Sequence, residues 1–469
     1  LGFFQKPRAC GAFFYLSFRS YNVGMKQQVS LIIEAHWVYP VIPSNTLLAQ
    51  HAVVIDVDEI IDICPIAEID SKYQASETIQ LDSHILMPGL INLHAHAAMT
   101  LMRGLADGLA LQPWLEEHIW PAEAKLVSPE FVHDGTTLAA AEMLSGGVTT
   151  YNDMYFYPES AAEASIQMGL RANLGLVVIE FPTQYATDAG DYIKKGLDAR
   201  DHLRNEPLIT FSFAPHAPYT VSDDTFQRIV TLANQVNISM HTHLHETKVE
   251  ITDSEETFGL RPLERLANLG VLGPTMTFAH CVHLKTLEIQ LLAEQGCSIA
   301  HCPSSNLKLA NGISPITQAI KYNVNVGLGT DGAASNNRQD LFTEMRLAAL
   351  LAKADSGDAT SVPAHKALEM ATINGAKALG LDDKVGSIEK GKLADLTAVS
   401  FSDLEMQPCF DPISHLVYVS GREHVSHVWV GGELRYHKPA EGAAVYSGIE
   451  PRELSDIVSK WESKVSEFK

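Results

Sequence analysis

Cysteine is scarce in this 469-residue chain and never spaced as CxxC: Cys10, Cys64, Cys281, Cys297, Cys302 and Cys409 are the full set. That excludes a disulfide scaffold or a zinc ribbon and fits a reducing, cytoplasmic setting. No apolar run reaches the roughly 18 residues a membrane span needs, so no membrane partner is expected. Positive charge is the next deficit. Lys and Arg number 34 against 56 Asp and Glu, and the net charge of −22 repels nucleic-acid phosphates. No nucleic-acid partner is expected. Low-complexity segments and strict internal repeats are absent too. What is present is ordinary globular material, 46% apolar and 19% charged, long enough for two to three domains or one barrel with additions.

Residues 1–24 place Lys6 and Arg8 before a short apolar stretch, but Ser20, Tyr21, Asn22 and Val23 make a poor cleavage site. An extraneous extension before a start at Met25 is expected, rather than a signal peptide. In residues 25–84, apolar and polar residues alternate from Val29 to Ile61, with turn residues at Pro43–Asn45, as in short antiparallel strands. The same texture returns in 386–440, where Gly431–Gly432 reads as a hairpin turn. Residues 441–469 carry Leu454, Ile457, Val458, Trp461 and Val465 at helical spacing. Between the two β-rich ends, 85–385 alternates short apolar strands with helical stretches. Eight strand candidates stand out: Ile85–Leu93, Val148–Asp153, Ala172–Ile179, Ile209–Ala214, Ile238–His241, Met276–Phe278, Ser298–Ala300 and Val324–Leu328. The α/β class and a (β/α)8 TIM-like barrel follow. The third helix is weakly patterned, around Thr183–Asp191.

His94-Ala95-His96 ends the first of these strands, and alternation points both imidazoles to one side. Alone, an HxH is two surface histidines. Position changes that reading, because His216, His243, His280, His301 and Asp331 also stand at carboxyl ends of strand candidates, the face where barrel enzymes gather catalytic residues. His94, His96, His243 and Asp331 are the expected ligands of one divalent metal. A set without thiolate suits Zn²⁺, with Fe²⁺ or Mn²⁺ open. Leu208–Pro218 contains no lysine to bridge a second ion, so one metal is expected rather than two. Glu246, three residues after His243, stands where a carboxyl can shuttle protons over a metal-held water; otherwise it is a helix first-turn Glu. Val249 occupies the place of the second histidine of HExxH and no PCxxC occurs, which excludes two other zinc classes. Gly327–Gly332 satisfies GxGxxG, with Asp355 further on, but it closes a late strand and reads as close backbone passage around Asp331.

Several stretches resemble the amidohydrolase superfamily, more narrowly its deaminases of methylthioadenosine and S-adenosylhomocysteine. They are Pro88–His96, Met99–Gly104, Pro215–Tyr219, His280–Leu284, Ser305–Gly312 and Gly329–Asn337. The resemblance covers nearly everything after Met25. It implies that the two chain ends form one small β-sandwich beside the barrel, with Gly386–Asp395 leading back into it. It makes His94, His96, His243 and Asp331 the ligands and Glu246 the proton shuttle. His280 would hold and polarise the attacking water oxygen, and His216 would contact the purine. Trp114 and Glu123 would line the nucleoside pocket, Glu123 receiving the ribose hydroxyls; from sequence alone they are a core aromatic and a solvated helix residue. His301 and Asn306 are implied as scaffolding, and His118, His133, His202 and His283 lack such support.

The implied reaction is attack of water at C6 of an adenine ring, with Asp331 taking the water proton, Glu246 protonating the adjacent ring nitrogen, and ammonia leaving. A small-molecule nucleoside is the expected partner, with the chain a homo-oligomer. Guanine deaminase or triazine hydrolysis on the same frame is the alternative within enzymes, and a metal-free binding barrel the alternative outside them. From Ala172 through Ala199 only Lys194 and Lys195 are cationic, so methylthioadenosine is expected to be preferred over S-adenosylhomocysteine, whose tail carries a carboxylate.

Overall fold

The computed structural model describes residues 26–439 and 441–468; the expected extension at 1–24 and the start at Met25 lie outside the described residues. Eight parallel strands follow one another in sequence order: Leu90–Ala95, Val148–Tyr155, Arg171–Val178, Ile209–Pro215, Ser239–Leu244, Met276–His280, Ser298–His301 and Asn325–Leu328. Helices alternate with them as the periodicity predicted. Val148–Tyr155 and Arg171–Val178 are buried at every position, the pattern of strands covered on one face by helices and on the other by the barrel interior. The strands end one after another on one side, and the chemistry-bearing residues stand there.

The weakly patterned third helix forms at Ala189–Leu203, started by Asp188, whose carboxylate accepts from the Asp191 amide at 3.0 Å. The segment before it, from Glu180 to Thr187, is therefore loop, and that loop roofs the site.

The chain ends share a second eight-stranded sheet. Its order across is Val445–Tyr446, Glu433–His437, Val425–Val430, Leu396–Ser400, Tyr73–Pro88, Gln27–Val38, Leu48–Asp56 and Glu59–Pro65. The Gly431–Gly432 hairpin forms as expected, with both φ values positive (57° and 76°), the geometry of a tight primed turn. The expected strand Ile85–Leu93 is instead two strands in two sheets, divided at Gly89. Ile85–Pro88 pairs antiparallel with Leu396–Val399, whereas Leu90 enters the barrel beside Val148. A Cβ at Gly89 would lie 2.0 Å from Thr149 Oγ1, so the close crossing needs glycine. The apolar run continues unbroken through the handover, which is why periodicity cannot see it.

Arg171 and Asp395 tie sheet to barrel through a buried bidentate pair, with contacts of 3.0 and 3.1 Å. The closing helix, Pro451–Val465, docks Trp461 edge-on against Phe131 and donates its indole N–H to Asp134 Oδ2 at 2.8 Å. Among the described residues no helix is long and apolar enough to cross a membrane.

Candidate active site

The strand ends converge as their spacing implied. His94 Nε2 and His243 Nε2 are 3.2 Å apart, and Asp331 Oδ1 lies 3.4 Å from His94 Nε2 and 3.2 Å from His96 Nε2. The other ring nitrogens are engaged elsewhere. His96 Nδ1 donates to the Met154 carbonyl at 2.6 Å and His243 Nδ1 to the His216 carbonyl at 2.8 Å. With Nδ1 on a carbonyl in each ring, Nε2 of His96 and of His243 faces the cluster. His94 Nδ1 is paired with His241 Nε2 at 2.9 Å. Three Nε2 atoms and a carboxylate oxygen thus crowd one point, a donor set that fits a divalent cation.

The charges of this cluster depend strongly on one another. Burial works to raise the Asp331 carboxyl, but its hydrogen bonds with His94 and His96 hold it well below the usual carboxylate range. Burial opposes charge on His96 as well, yet Asp331 lifts it to about 9, while burial pulls His94 down to about 4. Asp331 Oδ2 is occupied by the hydroxyls of Ser305 and Ser335, at 2.6 and 2.7 Å. The backbone is strained here too. His245, His280, Cys281 and Asp331 all have positive φ, at 50°, 69°, 52° and 62°, the kind of cost that persists where surrounding structure over-determines it. The Gly327–Gly332 run serves close passage: a Cβ on Gly329 would sit 2.8 Å from His94 N and one on Gly332 3.2 Å from His96 Cβ.

Glu246 and His280 stand beside this cluster. Glu246 Oε1 accepts from Asn311 Nδ2 at 2.9 Å, and Oε2 lies 3.7 Å from His280 Nε2. Burial raises the Glu246 carboxyl above the ordinary glutamate range. Its main chain is clamped by Glu250, whose two oxygens accept the His245 and Glu246 amides at 3.1 and 2.9 Å. His280 Nδ1 is 2.8 Å from Asn306 Oδ1, so its N–H points to the amide and its Nε2 toward Glu246. His301 lies buried nearby with neither nitrogen partnered.

A cavity of about 460 Å³ opens over these groups. His96, His243, Asp331, Glu246, His280 and His216 form its floor, with His94 buried beneath. Burial drives His216 down to about 3, so its ring is neutral, and Nδ1 pairs with Thr220 Oγ1 at 3.0 Å. Trp114 lines the wall and donates to the Leu105 carbonyl at 3.3 Å. Glu123, on the helix Trp120–Leu126, also lines the cavity rather than facing water. Tyr155 Oη donates to its Oε1 at 2.7 Å, and burial pushes its carboxyl up to about 7. His118, His133, His202 and His283 do not line the cavity. Sequence reasoning missed His241, Glu250 and Tyr155. His241-x-His243 is a second HxH on a strand, and that alternation was the available signal; nothing local marks Tyr155.

Residues 85–435 match the family described as Amidohydrolase family. A relative from Saccharophagus degradans, 5-methylthioadenosine/S-adenosylhomocysteine deaminase, is 48% identical over 94% of this chain and 98% of its own length. A 5′-deoxyadenosine deaminase from Methanothermobacter thermautotrophicus is 40% identical over 79% of this chain and 86% of its own. Among solved structures, an adenosine deaminase from Xanthomonas campestris with bound zinc superposes with a TM-score of 0.91 at 42% identity, covering 94% of this chain and all of that one.

Proposed function

The chain belongs to the amidohydrolase family, and on that premise we infer that it is a metal-dependent hydrolytic deaminase of adenine nucleosides, methylthioadenosine foremost. It replaces the C6 amino group with oxygen, giving the inosine analogue and ammonia. One observation carries the reading: the buried Glu246–His280 pair borders a three-histidine, one-aspartate donor set at one end of a cavity whose wall carries Glu123. His94, His96, His243 and Asp331 would hold one divalent ion, with zinc assigned because the solved relative binds it. When bound, that ion polarises and acidifies the attacking water.

The chain's own residues supply the rest. His280 Nε2, opposite the Nδ1 contact with Asn306 that fixes the ring, accepts a hydrogen bond from the attacking water and aims its oxygen at C6. Asp331, its carboxylate fixed by the hydroxyls of Ser305 and Ser335, takes the water proton. Glu246 hands a proton from Oε2 to the ring nitrogen beside C6; burial raises its carboxyl and so favours the protonated form that donates. His216, neutral, contacts the purine, Trp114 walls the nucleoside, and Glu123 accepts the ribose hydroxyls through the oxygen that Tyr155 leaves free. The C6–N bond breaks as the Asp331 proton reaches the departing nitrogen, and the proton left on the new C6 oxygen passes to Glu246, giving the carbonyl and restoring the acid.

Ammonia release from methylthioadenosine, adenosine, guanine and a triazine, measured on protein of known metal content, tests the reading. Turnover confined to adenine nucleosides is expected. Turnover of guanine or the triazine in their place would overturn it, and full activity without metal would remove the metal from the mechanism.

A further inference from the structure

The part of the cavity beyond Glu123 is built differently from its floor. Trp120 packs against Phe181 with ring centroids 5.8 Å apart, and Phe156 packs near Tyr185 at 6.3 Å. The loop is pinned across the opening, Gln184 Nε2 donating to the Ala124 carbonyl at 3.2 Å and the Gln184 carbonyl accepting from Tyr157 Oη at 2.9 Å. Among the described residues lining the cavity there is no lysine or arginine, and there are three carboxylates, Glu123, Glu246 and Asp331.

Four cations, Lys195, Lys125, Lys308 and Arg103, have partners of their own. Lys195 Nζ is tied to the Tyr185 carbonyl at 2.6 Å and to Asp191 at 3.1 Å. Lys125 pairs with Glu467 at 2.8 Å, and Lys308 with Asn337 Oδ1 at 2.5 Å and Asp107 at 3.3 Å. Arg103 is spent on Glu142 and the Asn337 carbonyl.

With the adenine over the metal-binding floor and the ribose at Glu123, the 5′ substituent enters this aromatic end. That placement rests on the function proposed above. We propose that the cavity selects adenosines with an uncharged 5′ substituent, methylthio or deoxy, and discriminates against the zwitterionic tail of S-adenosylhomocysteine. A thioether methyl buries against rings at no polar cost. An amino-acid tail brings a carboxylate that loses water and finds no lysine or arginine among the lining residues to pair with.

Charge and length are separable experimentally. On zinc-loaded full chain at fixed pH and ionic strength, kcat/KM is compared for methylthioadenosine, 5′-(butylthio)adenosine and S-adenosylhomocysteine. The first two are expected within a few-fold of each other. S-adenosylhomocysteine falls roughly 10- to 100-fold lower, the scale of one unpaired buried charged group. Phe181 is 40% exposed at the mouth, where a long side chain has room. Phe181→Arg is expected to raise the S-adenosylhomocysteine to methylthioadenosine ratio about tenfold, and Phe181→Leu to leave that ratio near wild type. Equal or greater efficiency on S-adenosylhomocysteine would overturn the proposal. So would butylthioadenosine turning over as poorly as S-adenosylhomocysteine, because length rather than charge would then govern. No turnover of any of the three, with ammonia released from guanine or a triazine, would instead bring down the deaminase reading beneath it.

Discussion

The floor and the roof of one cavity are made from opposite materials. The floor is strand-end histidines and carboxylates, each oriented by a hydrogen bond on its far side and two of them, His280 and Asp331, held at positive φ. The roof is loop and short helix, its inner wall mostly rings and aliphatic groups. Geometry that must be exact to a fraction of an ångström sits on rigid strands, and surface that need only match shape and polarity sits on connections. Damage should divide the same way. His243→Ala, or Asp331→Asn, is expected to abolish deamination and take metal content from about one per chain to near zero, as loss of one ligand from a four-ligand site predicts. Trp120→Ala should keep the metal and most of kcat while raising KM about tenfold, since it removes binding surface common to ground and transition states. If Trp120→Ala lost metal, or His243→Ala raised KM alone, the division would collapse.

Within the floor, Glu246 differs from its neighbours in the role proposed for it, moving a proton without being a ligand. Glu246→Gln is expected to retain full metal occupancy and lose about 10² to 10⁴ in kcat, the usual worth of a positioned acid–base group. Metal analysis beside kcat separates this from the ligand variants, and wild-type turnover would reduce Glu246 to a loop residue.

Legibility followed the same boundary. Barrel strands end at predictable places, so a residue at the end of an apolar run can be assigned to the floor before any coordinates exist; His94, His243, His280 and Asp331 meet on that logic alone. The handover at Gly89 was invisible because two sheets draw on one continuous apolar run. The position of Glu123 was equally hidden. Its helix is short, and only the fold carries the helix over the barrel mouth and puts Tyr155 against the carboxylate. His241 was legible and overlooked: alternation puts it on the same strand face as His243, one layer deeper.

That deeper layer carries the next effect in size. His241 Nε2 meets His94 Nδ1 at 2.9 Å and is itself met by Asn152 Nδ2 at 3.1 Å. Groups of this kind set the tautomer and direction of a ligand, and their removal costs about 10- to 100-fold in metal affinity. His241→Phe keeps the ring volume and deletes the bond. Chelator competition is expected to show zinc held that much more weakly while kcat of the fully loaded enzyme changes little; unchanged affinity would make His241 packing alone.

The smallest predicted effect lies where floor gives way to roof. Glu123 is pushed up to about 7, chiefly because burial disfavours its charged form, with the Tyr155 hydrogen bond pulling the other way. Under the proposed ribose contact, the neutral carboxyl below that value would accept the hydroxyls weakly and the carboxylate above it strongly. KM for methylthioadenosine is therefore expected to fall, by up to about tenfold, as pH rises from 6 to 8. Stability should run the opposite way. A folded pKa above the unfolded one means the folded state binds a proton the unfolded chain has released, so this group's stabilisation is present below the ordinary glutamate value and lost as pH rises through about 7. Glu123→Gln cannot ionise and should remove both trends together, leaving KM near its low-pH value across the range. Parallel KM and thermal-melt profiles for the two proteins decide it: a wild-type KM slope that survives in Glu123→Gln would belong to another group.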